Sequence, residues 1–159
     1  RQGLSMNFAK LLTPRAVKVL SSTTSKKRLL TELAELAAAT YDLKAATVVE
    51  ALLAREALGP TGVGRGVALP HARLEGIEKV AGLFVLLEKP VDFGSVDRQP
   101  VDIAFARFAP ETAGVEHLKA LALVSRTLRD TGICAKLRAN PNEETLYTIL
   151  TEAEGVKAA

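Results

Sequence analysis

The chain has 159 residues, 48% hydrophobic and 25% charged, which fits one domain large enough to bury its own core. A formal charge of +3, one compact basic run at Lys26-Lys27-Arg28 and only 4% aromatic residues exclude the broad basic, stacking surface that nucleic acid requires. The longest apolar run, 80–87, is too short to span a bilayer, and the single cysteine, Cys134, rules out an internal disulfide and favours a cytoplasmic protein.

Residues 1–5 precede Met6, lack the hydrophobic stretch of a signal peptide and read as an expression scar, so they are set outside the fold. Residues 17–20 read as a short strand. Ser25 can cap a helix running to about Thr40, with Leu29, Leu30, Leu33, Leu36 and Ala37 on one face and Arg28, Glu32 and Glu35 opposite. A second helix, about 44–57, buries Val48, Val49, Leu52 and Leu53, carries Arg55 in its last turn and stops before Gly59-Pro60.

The next segment, Gly62-Val63-Gly64-Arg65-Gly66-Val67-Ala68-Leu69-Pro70-His71, leads through alternating glycines into one of only two histidines. The glycines allow positive φ and close backbone approach, while Pro70 holds Leu69 extended, so His71 is presented from a stiff, non-helical support. Strands are expected at 67–69, 80–87 and 101–108, with 88–100 as a connection rich in Pro, Gly, Asp and Ser. Helices are expected at 115–129, 132–139 and 142–152, the last capped by Asn142. Strands in the middle with helices before and after place a sheet between helical layers.

Three polar residues stand out chemically. A histidine that accepts a phosphoryl group needs a neutral ring with one free lone pair and the proton of its other nitrogen held by an acceptor. His71, on a rigid backbone, can be so held, through Nε2 or Nδ1 as nucleophile. From position alone, a histidine that merely ends a strand is the commoner case. His117 falls on the helical face of Leu121, Val124 and Leu128, in a first turn whose N–H groups and dipole favour a phosphate and disfavour imidazolium. A neutral His117 can there donate to a phosphoryl oxygen; a core histidine satisfied by backbone is the plainer alternative. The guanidinium of Arg55 can share two phosphoryl oxygens without losing its charge, although a helix-end arginine more commonly caps carbonyls.

The run from Arg55 to His71 resembles the active-site region of the mannitol/fructose-type enzyme IIA family of the bacterial phosphotransferase system, the nitrogen-regulatory branch being closest. The segments Pro90-Val91-Asp92-Phe93-Gly94-Ser95-Val96-Asp97-Arg98-Gln99-Pro100-Val101-Asp102 and Glu116-His117-Leu118-Lys119-Ala120-Leu121 are similar to that family too, and the likeness runs over about 17–147. It implies a three-layer α/β/α sandwich with a central mixed β-sheet, in a single IIA type-2 domain over 6–153. It further implies that His71 is the phosphoryl acceptor, through Nε2, with His117 hydrogen-bonding the phosphoryl group, Arg55 balancing its charge and Thr61 at a binding position. No cofactor and no metal are implied. The implied partners are a histidine phosphocarrier protein as donor and regulated targets such as potassium-transport or sensor components, in the cytoplasm. The alternative is a sugar-specific fructose or mannitol enzyme IIA that passes phosphate to a IIB subunit.

Two positions depart from the family pattern: Arg65 stands where a small polar residue such as Asn is frequent, and Ala72 where Gly is. Other readings fit less well. The glycine spacing hints at a dinucleotide fold, but the segment follows a helix, and Val67-Ala68-Leu69-Pro70 cannot open one. A zinc hydrolase would need a third ligand beyond the two histidines. A regulatory module switched by phosphorylation is compatible with the carrier reading.

Overall fold

The computed structural model describes residues 5–112 and 114–158, the last five by their backbone alone. The expected scar at 1–5 therefore falls, but for Ser5, outside the described residues. The expected helices are present. The Ser25 side chain accepts from the Arg28 amide and starts α2 (Lys26–Tyr41), which buries Leu29, Leu30, Leu33, Ala34 and Ala37 and ends at Asp42 in the left-handed region, φ 58°. Helix α3 (Ala45–Glu56) buries Val48 and Leu52, with Val49 and Leu53 packed partly against the core. Before them come two elements that the sequence reading did not foresee: α1 (Phe8–Leu11), capped by Asn7, and a 3-10 turn at Pro14–Ala16. The Phe8 ring meets Phe105 edge-on at 5.7 Å, which ties this leading segment to the sheet.

The sheet has six strands: β1 (Val17–Leu20), β2 (Gly62–Gly64), β3 (Val67–Ala68), β4 (His71–Leu74), β5 (Ala81–Val91) and β6 (Val101–Pro110). Its order is β1-β5-β6-β3-β2, with β4 also paired to β6. β5 and β6 run antiparallel, β1 is parallel to β5, both β3 and β4 are parallel to β6, and β2 is antiparallel to β3. This is the expected mixed sheet flanked by helices. Its two long strands are buried for most of their length, which explains their nearly unbroken apolar character.

Three expectations are corrected. Residues 88–91 continue β5 past a register shift between Leu86 and Val91, so only part of 88–100 is loop. β2 was read as loop. The expected strand at 67–69 is instead the first half of an interrupted one, and His71 opens β4 where a strand end was the commoner reading. The interruption costs no register: Ala68 lies opposite Ala104 and His71 opposite Arg107, the same offset on both sides of Leu69-Pro70. Pro70 still accepts from the Arg107 amide at 3.0 Å, and the Leu69 amide turns to Thr61 O at 2.9 Å.

Helices α4 (Val115–Leu128), α5 (Thr131–Arg138) and α6 (Glu143–Ala158) complete the chain. Asp130 caps α5, and Asn142 accepts from the Thr145 amide at 2.9 Å, as its expected capping role requires. Among the described residues no helix is long and apolar enough to cross a membrane.

Candidate functional site

The glycine segment folds as a hairpin whose two central residues, Arg65 at φ 59° and Gly66 at φ 81°, both lie in the left-handed region. Two-residue hairpins of type I′ demand this, which is why Asn suits the first position better than Arg. Here the strained arginine is held by its backbone: its N–H donates to Asp97 at 2.8 Å, and its carbonyl accepts from Arg138 Nη2 at 2.9 Å. Arg138 also forks onto both oxygens of Asp102, so α5 clamps the hairpin. Gly62 serves close approach instead, since a Cβ there would run into Ser95 Oγ. Ala72, the other departure, is buried and paired with Phe108, one residue on from His71 and so on the opposite face of β4.

Thr61 anchors the root of this segment. Its amide and hydroxyl both donate to the Glu56 carboxylate at 2.7 Å, and Glu56 in turn pairs with Lys26 at 2.8 Å. Lys26 also donates to Phe93 O at 3.0 Å and lies 4.6 Å from the centre of its ring. The Thr61 hydroxyl is thus committed to Glu56, and this residue holds the loop in place.

His71, Arg55 and His117 come together from three elements. Leu69 O lies 3.3 Å from His71 Nδ1. A carbonyl can only accept, so this contact puts the ring proton on Nδ1 and leaves Nε2 with its lone pair. Arg55 Nε donates to that same Nε2 at 3.3 Å, which calls for the same tautomer. Arg55 is itself steadied by Nη1 donating to Gly59 O at 2.9 Å, just past the end of α3. The imidazole of His117, from the first turn of α4, lies with its centroid 6.4 Å from that of His71 and its plane tilted by 48°. Its Nδ1 is buried and meets no partner among the described residues.

A fourth residue joins them. Arg107, on β6 directly opposite His71, is only 2% exposed, and its Nε and Nη1 are buried without an acceptor among the described residues. Burial holds its pKa down to about 10. Burial first, and next the Arg107 charge, push the pKa of both His71 and His117 below 6.5; Arg55 adds to this at His71 and Arg73 at His117. Both rings are therefore kept neutral. Among the described residues no group of three or more His, Cys, Asp and Glu side chains assembles that could hold a metal ion.

This arrangement belongs to a chain whose residues 10–153 match the family described as "Phosphoenolpyruvate-dependent sugar phosphotransferase system, EIIA 2". The protein is a member of that family. It is 47% identical to the nitrogen regulatory protein of Bradyrhizobium diazoefficiens over 145 residues, spanning 91% of this chain and 95% of the relative. The crystal structure of nitrogen regulatory protein IIA-Ntr from Neisseria meningitidis superimposes with a TM-score of 0.83 at 36% identity, covering 91% of this chain and 99% of that one. The mannitol IIA of Escherichia coli shares the fold, with a TM-score of 0.73 at 20% identity over 87% of this chain and 98% of its own.

In this EIIA 2 domain, the sequence reading named both histidines and Arg55, which the structure brings together, but passed over Arg107 beside them. The only signal was one arginine inside the otherwise apolar Ile103-Ala104-Phe105-Ala106-Arg107-Phe108-Ala109. A charge at such a position is either paired or awaiting a partner.

The depressed histidines also fix how the domain responds to acid. An unfolded chain takes up a proton on each near pH 6.5, whereas the folded domain resists until lower pH, so their contribution to stability is present above 6.5 and is lost as pH falls below it. The melting temperature should therefore fall between pH 7 and pH 5, and by less in His117→Asn than in the parent. Identical pH dependence in the two proteins, followed by differential scanning calorimetry, would show that His117 is not held neutral.

Proposed function

We propose that this EIIA 2 domain is the phosphoryl carrier of a nitrogen-regulatory phosphotransferase chain, accepting phosphate on His71 from a histidine phosphocarrier protein. The observation that carries this reading is the tautomer of His71: Nδ1–H directed at Leu69 O, Nε2 carrying its lone pair toward Arg55.

In the transfer, the His71 Nε2 lone pair forms the new N–P bond as the donor's N–P bond breaks, and its electron pair returns to the donor's imidazole. No proton has to move. The proton left on Nδ1 makes the phosphorylated ring cationic, and Leu69 O is in position to strengthen its hydrogen bond to that charge. Arg55 exchanges its contact with Nε2 for phosphoryl oxygens, and His117 donates a further hydrogen bond from a ring that burial keeps neutral. The single domain spans 6–153 and works in the cytoplasm. Its output is regulation of target proteins by its phosphorylation state, with potassium transport and nitrogen metabolism as precedents in the family.

Identity of 47% to a nitrogen regulatory relative over 91% of this chain, against 32% and 30% to two fructose-specific components, favours this branch over the sugar-specific one. Phosphorylated protein offered sugar-specific IIB subunits should keep its phosphate, while returning it readily to the histidine phosphocarrier. Stoichiometric delivery to a fructose or mannitol IIB would reverse the assignment. His117→Ala should still accept phosphate but exchange it roughly tenfold more slowly, a loss of about 1.4 kcal/mol for one hydrogen bond in a water-accessible site. Rapid-quench rates equal to the parent's in both directions would leave His117 a packing residue.

A further inference from the structure

The least expected group in the molecule is the Arg107 guanidinium. It emerges from the middle of a buried strand, its two nitrogens Nε and Nη1 have no acceptor among the described residues, and none of the ion pairs there includes it. An apolar side chain would fill the same volume without the cost of burying a charge. Its placement is not random. Paired residues on neighbouring strands point to the same face, so Arg107 lies beside His71 on β4; on its other side it is paired with Gly82 of β5, where the Phe105 ring fills the space a side chain would take. Its charge bears on the His71 ring more heavily than that of Arg55, which touches the ring at 3.3 Å, and it bears on His117 as well.

We infer that Arg107 is a second, interior phosphate-binding guanidinium, whose Nε and Nη1 donate to an oxygen of the phosphoryl group carried by His71. This rests on the carrier reading above. Three donor groups then converge on that group from three elements: Arg55 from α3, His117 from α4 and Arg107 from the sheet. The phosphoryl group brings up to about two negative charges, the counter-charge that Arg107 lacks in the free protein. Arg107 is consequently a burden to the unphosphorylated domain and an asset to the phosphorylated one, and it biases the carrier toward holding phosphate. The N–P bond still forms at His71 Nε2 with the electron balance described above; Arg107 contributes charge and hydrogen bonds only.

The test compares the parent with Arg107→Leu and Arg107→Gln in full-length protein. Each is equilibrated with a phosphorylated histidine phosphocarrier, and the partition of phosphate between the two proteins is read by intact mass. Melting temperatures are measured for free and phosphorylated forms. The expected result is a roughly tenfold shift of the partition away from each variant, equivalent to about 1.4 kcal/mol, while the free form of Arg107→Leu melts no lower than the parent. Phosphorylation should raise the melting temperature of the parent more than that of either variant. A partition within about twofold of the parent's would overturn the inference, as would free and phosphorylated forms destabilised alike by the substitution, the mark of a purely structural arginine. If Arg107→Leu does not fold, Arg107→Gln, which keeps a polar stem without charge, decides by the same partition. A parent that takes no phosphate on His71 would instead bring down the carrier reading, and this inference with it.

Discussion

His71→Ala is expected to abolish phosphorylation outright. The second imidazole cannot take over, because His117 presents to the interior a buried Nδ1 with no hydrogen-bond partner among the described residues, and nothing there fixes its tautomer for attack in the way that Leu69 O fixes His71. Incubated with a phosphoenolpyruvate-driven relay, the parent should gain one acid-labile phosphoryl group, seen by intact-mass measurement, and the variant none. His71 is half-buried, and among the described residues its ring makes one hydrogen bond to backbone, that to Leu69, so the variant should remain folded. A phosphorylated His71→Ala protein would move the acceptor elsewhere, and the double variant with His117→Ala would then show whether the second histidine had received it.

Arg55→Ala should be the next most damaging change, with transfer falling roughly tenfold to a hundredfold, each tenfold being about 1.4 kcal/mol. Loss of a charge-stabilising donor in a dry, preorganised site typically costs about 2.7–4 kcal/mol; a site open to partner proteins loses less, because water screens the charge. Arg55→Lys restores the charge without the planar fork, so the expected order of rates is parent, then Lys, then Ala. The structure adds a second consequence. Because Nη1 also holds Gly59 O, Arg55→Ala gives up a hydrogen bond at the end of α3 worth about 1 kcal/mol, a fall of about 2–4 °C in melting temperature for a domain of this size. The helix-end role and the site role are thus carried by different nitrogens of one side chain. Stopped-flow transfer rates unchanged in Arg55→Ala, alongside that fall in melting temperature, would leave only the helix-end role.

How much of this was legible in the sequence depended on how far each signal is local. The caps at Ser25 and Asn142 and the apolar face of α2 are set by neighbours within a few positions, and they stood where periodicity placed them; on α4 the buried face is Ala120, Leu123, Val124, Thr127 and Leu128, so Val124 and Leu128 stood where expected and Leu121 did not. The edges of the sheet were not legible in the same way. β2 and β4 are three and four residues long, and their pairing with distant partners overrides the glycines and the proline between them. The tail of β5 was hidden because Glu88-Lys89-Pro90 has a loop's composition. The two histidines and Arg55 could be named because a family pattern carries them, and the structure brings them together. Arg107 belongs to no pattern of spacing; it is brought to His71 by cross-strand register alone, which a linear reading does not contain. Thr61 was found for its position, but its bonding to Glu56, and through Glu56 to Lys26, depends on the meeting of α2 and α3.

The unbroken offset across Leu69-Pro70 sets what this part of the chain can tolerate in length. Side chains on a strand alternate between faces, so one residue added or removed between Ala68 and His71 turns the imidazole away from Arg107 and Arg55 and sends Ala72 to their side. The number of residues between two anchored strand positions, more than their identity, is thus what keeps the imidazole facing the two guanidinium groups.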